Sequence, residues 1–222
     1  MFTAFFIGNI ASGKSRATRY LESRGAVRLD LDQMAKDLYV PGSALLRSIA
    51  DVFGEDVLDD GGRLRNDVLA ERAFATVESS SRLNTLVYPA LLDSLESTLF
   101  ELSHSLTASG SFVVVENSNA AGFKESLALA DEVVAISVPL AIRRERALGR
   151  GMALDDFNAR AAAQPSDEEL CSLADTIIDN SSSTEELERQ LDAWMLARDI
   201  GFGTSCSIHP EGSAEGEDDA RD

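Results

Sequence analysis

Four or five short apolar runs, rich in β-branched and aromatic residues, recur along the chain: FTAFFI (2–7), AVRLD (26–30), SFVVVE (111–116), EVVAISV (132–138) and DTIID (175–179). They have the length and composition of strands. Between them lie longer stretches with apolar residues three or four positions apart, the spacing of one helix face. GKSRATRYLESR (13–24) follows the first run, and SSRLNTLVYPALLDSLESTLFELSHSL (80–106) is expected to be kinked or divided at Pro89. Pro139 fits a helix start, and LAIRRERALGR (140–150) continues it with four arginines. GMALDDFNARAAAQPSDEELCSLAD (151–175) then precedes the last strand, and this part of the chain is a candidate mobile lid. The final pattern, SSTEELERQLDAWMLARD (182–199), opens on Ser or Thr ahead of Glu, a capping signature. Its stripe of Leu187, Leu191, Trp194 and Met195 reads as a core-facing side, Trp194 included. Strands alternating with helices predict an α/β fold of three layers, a parallel sheet with helices on both faces. No internal repeat is present.

Composition narrows this further. A chain of 222 residues with 44% hydrophobic content can bury a substantial core as one unit. We expect a single domain over residues 1–200, with a helical substrate-binding region at about 40–108 and a lid at about 140–172. The end of the chain, PEGSAEGEDDARD, is acidic and nearly free of apolar residues, so 201–222 is expected to be a disordered acidic tail. A formal net charge of -18 argues against nucleic-acid binding, which needs Lys and Arg to displace counterions. Cys171 and Cys206 have neither metal spacing nor the look of a disulfide framework. His104 and His209 form no constellation. No stretch approaches the roughly 18 apolar residues of a membrane span, and no basic segment precedes the first apolar run, so a cytoplasmic location without membrane attachment is the default. Oligomeric state is left open.

The chemistry begins at GNIASGKS (8–15), directly behind the first predicted strand and opening a predicted helix. Gly8, Gly13, Lys14 and Ser15 match the phosphate-loop pattern G-x-x-x-x-G-K-[ST] in its proper context. Such a loop turns its N–H groups inward at a helix N-terminus, and residues Gly8, Asn9, Ile10, Ala11, Ser12, Gly13, Lys14, Ser15 and Arg16 are the expected ATP-binding set. Lys14 would reach the β- and γ-phosphates and Ser15 a magnesium ion. The plainer reading is a glycine-containing turn with an exposed lysine. At the end of the second predicted strand, LDLDQMAKDL places Asp30 and Asp32 at the carboxyl edge of the sheet. A kinase needs a group to accept the proton of the attacking hydroxyl, and Asp32 is the candidate base, although Asp at such a junction is also a common helix cap. Glu116, at the end of the third predicted strand, is either a second magnesium contact through water or solvated surface.

GNIASGKS, LDLDQMAKDL, VPGS, DDGGRL, AERAF, RAAAQ and ADTIIDNSSS, in this order over roughly residues 2–195, give the chain a resemblance to the dephospho-coenzyme A kinases. The resemblance implies transfer of the γ-phosphoryl of ATP to the ribose 3'-hydroxyl of dephospho-coenzyme A, the last step of coenzyme A synthesis. It places Asp32 at the family's base position and gives Lys14 and Ser15 the phosphate and magnesium roles. It sets Arg146, Arg150 and Arg160 in an arginine-bearing lid, with Gln164 completing an R-x-x-x-Q match; each arginine taken alone also suits a solvated helix face. The chain departs from the family pattern at several points. The loop carries Asn9, Ala11 and Arg16, and the first two would narrow the phosphate cradle if their φ were positive. Tyr88 precedes Pro89 where the family has His-Pro, and NSNAAG (117–122) replaces an apolar substrate wall. Asp167 stands where the family commonly has arginine, a charge reversal expected near the ATP phosphates, and Arg65 lies one place before the family's arginine, with Asn66 in that position. Two further readings therefore stand beside the first: a related kinase with another hydroxyl acceptor, and a catalytically weak nucleotide-binding paralogue.

Overall fold

The computed structural model describes residues 1–106 and 110–201. All five apolar runs are strands: β1 (Phe2–Ile7), β2 (Val27–Asp30), β3 (Phe112–Asn117), β4 (Glu132–Ser137) and β5 (Thr176–Asp179). They form one parallel sheet in the order β2-β3-β1-β4-β5. Alternate residues of β1 leave opposite faces. Ala4 and Phe6 pack with Ala17, Leu21, Leu187, Leu191 and Trp194, whereas Phe5 and Ile7 pack with Leu91, Leu95, Leu99 and Leu170. Burial on both faces is why the strands are continuous apolar runs rather than alternating ones.

The first of these faces is covered by α1 (Lys14–Ser23) and α9 (Thr184–Leu196), and Trp194 is core, as its stripe implied. Ser183 caps α9 by accepting from the Glu186 N–H, as the capping pattern predicted. The other face carries α5 (Val77–Ser105) and the short α8 (Asp167–Cys171). Beyond the sheet, α3 (Ala44–Phe53) and α4 (Asn66–Ala73) meet the first half of α5 in a satellite cluster of Leu46, Ile49, Val57, Leu69, Leu83 and Val87. The remaining helices are α2 (Leu31–Asp37), α6 (Leu140–Gly149) and α7 (Leu154–Ala162).

Pro89 does not divide α5, which is assigned helical without interruption over 29 residues. Its missing N–H costs one helical hydrogen bond, and the helix survives because each half is anchored separately: Leu83 and Val87 in the satellite cluster, Leu91, Leu95 and Leu99 against the sheet. Among the described residues no helix is long and apolar enough to cross a membrane. The acidic tail, Cys206 and His209 fall in 202–222, outside the described residues, while Cys171 is half-buried with a free thiol.

The chain leaves β1 at the centre of the sheet, between β3 and β4, and crosses to β2 on one side before β4 and β5 fill the other. The crevice at the carboxyl ends of the strands opens at this reversal, where open α/β sheets bind ligands.

Candidate active site

The loop from Gly8 to Gly13 fills the start of that crevice, and α1 begins at Lys14. Gly13 caps the helix with φ of 98°, and a Cβ there would lie 2.3 Å from Asn180 Nδ2. Asn180, buried just past β5, donates to Ser12 O at 2.7 Å and so props the loop from behind. A Cβ at Gly8 would lie 2.5 Å from Ser12 Oγ and 2.9 Å from Ile136 O. Both motif glycines are thus required by contact. Of the substituted positions, Ala11 does take positive φ, at 59°, while Asn9 does not.

Lys14 is buried and donates from Nζ to Gly8 O at 2.6 Å. Burial pushes the ammonium below its ordinary pKa, against the opposing pull of Glu116, Asp32 and Asp30. Ser12 Oγ is buried without a hydrogen-bond partner among the described residues. A buried orphan hydroxyl in a loop of this shape is a donor set aside for a ligand oxygen. The loop and Arg16, Arg19 and Arg150 line a cleft of about 440 Å³. In a chain with net charge -18, this gathering of cations is local and suits the phosphates of ATP.

Facing the cations are three carboxylates. Asp30 caps α2, accepting from the N–H of Asp32 at 3.1 Å and of Gln33 at 3.3 Å, and pairs with Arg28 at 2.8 Å. The capping role thus falls to Asp30. Asp32 is exposed, and its carboxylate accepts no hydrogen bond among the described residues. Glu116 is buried, with Ser15 Oγ donating to Oε1 and Thr18 Oγ1 and Arg28 Nη2 donating to Oε2, the latter two at 2.9 and 2.6 Å. Burial alone would raise this carboxyl, but the bonds from Ser15, Arg28 and Thr18 and the charge of Arg28 outweigh it and hold the group below its ordinary pKa. No group of three or more His, Cys, Asp or Glu suited to a metal occurs among the described residues. The Ser15 hydroxyl beside the Glu116 carboxylate instead fits a hard cation that takes its other ligands from phosphate and water, as magnesium does.

The segment between α7 and α8 touches the loop directly. Gln164 Oε1 accepts from the Ile10 N–H at 2.7 Å, and Asn9 Nδ2 donates to Pro165 O at 3.1 Å and to Asp167 Oδ1 at 2.8 Å. Asp167 also pairs with buried Arg143 at 2.9 Å, and Arg143 Nε donates to Val138 O at 3.1 Å. The charge reversal at Asp167 is therefore met by a cation of the protein. Arg150 lines the phosphate cleft; Arg146 and Arg160 do not. Arg146 reaches Ser182 O at 3.4 Å, and Arg160 lies on the outer face of α7, paired with Asp156 one turn away.

A second, larger cleft of about 1130 Å³ adjoins Gln164 and Pro165 and is walled by α5 through Ser81, Asn84, Thr85 and Tyr88. Tyr88 stacks on Phe123 with ring centroids 4.4 Å apart, and its hydroxyl accepts from Asn119 Nδ2 at 2.6 Å. Burial raises the Tyr88 phenol, and Asp32 is among the charges that raise it further. The segment after β3 is an organised wall. Asn117 is buried and bonds Ser126 Oγ and the Asn119 N–H, while Ala120 and Phe123 are core. Arg65 lines neither cleft and reaches Asp56 O at 3.4 Å.

Arg19, Arg28 and Arg143 were missed as site residues by the sequence reading, and Asn180 entered it only as part of a motif. Arg28 left a signal, two residues before Asp30 and so on the same strand face. Arg143 left none among the three arginines of α6.

The dephospho-CoA kinase family model matches residues 5–186. A dephospho-CoA kinase of Corynebacterium diphtheriae is 36% identical over 195 residues, covering 87% of this chain and 92% of that protein. Among solved structures, a Thermus thermophilus protein superposes with TM-score 0.69 at 28% identity, over 88% of this chain and 97% of that one. The dephospho-CoA kinase of Campylobacter jejuni superposes with TM-score 0.62 at 23% identity, over 89% and 98%, a likeness of fold. Phosphate loop, strand order and family match agree, and the chain belongs to the dephospho-CoA kinase family of phosphotransferases.

Proposed function

We propose that this protein transfers the γ-phosphoryl group of ATP to the ribose 3'-hydroxyl of dephospho-coenzyme A, giving ADP and coenzyme A. The observation that carries the reading is the exposed carboxylate of Asp32, which accepts no hydrogen bond among the described residues and stands at the start of α2 where the carboxyl edge of the sheet meets the crevice. Its charge acts on the Lys14 ammonium in the phosphate cleft and on the Tyr88 phenol in the wall of the larger one. A base that serves phosphoryl transfer must stand at that junction, with its carboxylate not already engaged.

In this reading the loop N–H groups and the Ser12 hydroxyl bind the β- and γ-phosphates, and Lys14 leaves Gly8 O for the γ-phosphate oxygens. Asp32 orients the 3'-hydroxyl and accepts its proton as the new P–O bond forms. Ser15 and Glu116 would hold a magnesium ion, which supplies neutralisation of the phosphate charge. Arg16, Arg19 and Arg150 balance the remaining charge on the transferring group. Arg146 and Arg160 reach ATP in this reading only when the segment 140–172 closes, which also excludes water from the γ-phosphoryl. The acceptor occupies the larger cleft, with Tyr88, Asn119 and Phe123 at its wall. The reaction is assigned to the cytoplasm.

The test is product identification. The protein with ATP, magnesium and dephospho-coenzyme A should yield a product heavier by one phosphoryl group, located at the 3' position by phosphorus NMR. Transfer to a different hydroxyl-bearing acceptor and not to this one would favour the reading of a related kinase. ATP binding with no transfer to any acceptor would leave a nucleotide-binding paralogue.

A further inference from the structure

Arg28 has no place in the phosphate-loop motif, yet its guanidinium sits among the acids of the site. Arg28 and Asp30 lie two residues apart in β2, so both side chains leave the same strand face. Asp30 is the register partner of Glu116 on β3. Sheet geometry therefore sets two carboxylates side by side at the strand ends. Arg28 Nη2 donates to both, at 2.8 Å to Asp30 Oδ2 and 2.6 Å to Glu116 Oε2, and its Nε donates to Thr18 Oγ1 at 2.9 Å. The Arg28 side chain is 15% exposed and that of Glu116 6%, so water screens this cluster little.

The bonds divide the Glu116 carboxylate in two. Oε2 is held by Arg28 and Thr18, while Oε1 faces the Ser15 hydroxyl. Asp30 and Glu116 are the two carboxylates of this cluster, and Arg28 is the cation paired with both. Removal of Arg28 would leave the adjacent Asp30 and Glu116 carboxylates without the guanidinium that pairs both, an uncompensated acid pair that attracts a free divalent cation without nucleotide.

We propose that Arg28 is a built-in counter-cation that keeps divalent metal off Glu116 until ATP delivers it. It is a positioning residue. It fixes one carboxylate oxygen, leaves the other beside Ser15, and makes metal entry depend on the phosphate oxygens that complete the coordination. The inference rests on the reading that Ser15 and Glu116 face the metal.

The test titrates Mn²⁺ into the full chain without nucleotide and follows the free ion by electron paramagnetic resonance. Wild type should bind the ion weakly, and Arg28→Gln at least about tenfold more tightly, since an uncompensated buried carboxylate gains most from a new cation. Arg28→Lys, which keeps the charge, should behave as wild type. Glu116→Gln in the Arg28→Gln background should abolish the gain. If Arg28→Gln does not fold, Arg28→Met carries the same expectation. Equal Mn²⁺ affinity in wild type and a folded Arg28→Gln would overturn the proposal, as would tight binding by wild type alone. Turnover is not read, so failure of the kinase assay and failure of this inference remain separate results.

Discussion

Asp30 and Asp32 stand two positions apart at one strand-to-helix junction and have different fates. Asp30 is committed to the cap of α2 and to Arg28, whereas Asp32 is exposed and accepts no hydrogen bond among the described residues, which leaves it free for the proposed role of base. Ala11 shows the cost a single methyl group can impose, since it holds φ of 59° where glycine would be at ease. Ala11→Gly should therefore raise stability by about 0.5 to 1 kcal/mol, net of the entropy glycine loses on folding, read from the urea midpoint at constant slope. Glu116 yields a prediction in pH. Its folded pKa lies below the ordinary 4.5, so its contribution to stability is complete above that value and is lost as pH falls through the depressed folded value. Glu116→Gln should flatten the acid limb of the stability curve below about pH 4.5 while lowering stability at neutral pH. An acid limb identical in mutant and wild type would remove Glu116 as a source of it.

At the scale of elements, what the sequence made legible was whatever is local. Five buried parallel strands announce themselves as apolar runs, and the phosphate loop is a contiguous motif whose helix follows at once. Contacts across the fold were not legible. Asn180 supports Ser12 from 168 residues away, Arg28 meets Glu116 across 88, and Arg143 meets Asp167 across 24. No periodicity encodes such pairings. Pro89 shows the same limit from the other side, because the force that keeps α5 whole is tertiary packing on two separate clusters. The departures at Asn9 and Asp167, read separately in the sequence, prove to be one contact between the loop and the start of α8. Asn9→Gly and Asp167→Ala should each weaken ATP binding, and the double variant should lose less than the two added together, by a coupling of about 1 kcal/mol. Strict additivity in the ATP titration would mean that the contact contributes nothing.

At the scale of the whole molecule, the parallel sheet brings the ends of β1, β2 and β3 to one crevice, where cations from α1 and the turn after α6 meet the acids of β2, α2 and β3. Gln164 and Pro165 line the larger cleft and hydrogen-bond Ile10 and Asn9 of the loop that borders the phosphate cleft, so that loop links the two clefts. The overall charge of -18 is no obstacle to binding an anionic nucleotide, because Lys14, Arg16, Arg19 and Arg150 set the field inside the cleft. The most direct measurement is ADP release from ATP and magnesium, with and without dephospho-coenzyme A, for wild type, Lys14→Ala and Asp32→Asn. The proposed transfer requires release stimulated by the acceptor in wild type and absent in Lys14→Ala. In Asp32→Asn it should be slowed by about 10² to 10⁴ in kcat with ATP affinity retained. Acceptor-stimulated release that proceeds at the wild-type rate in Asp32→Asn, or no stimulation in a wild type that binds ATP, would contradict it.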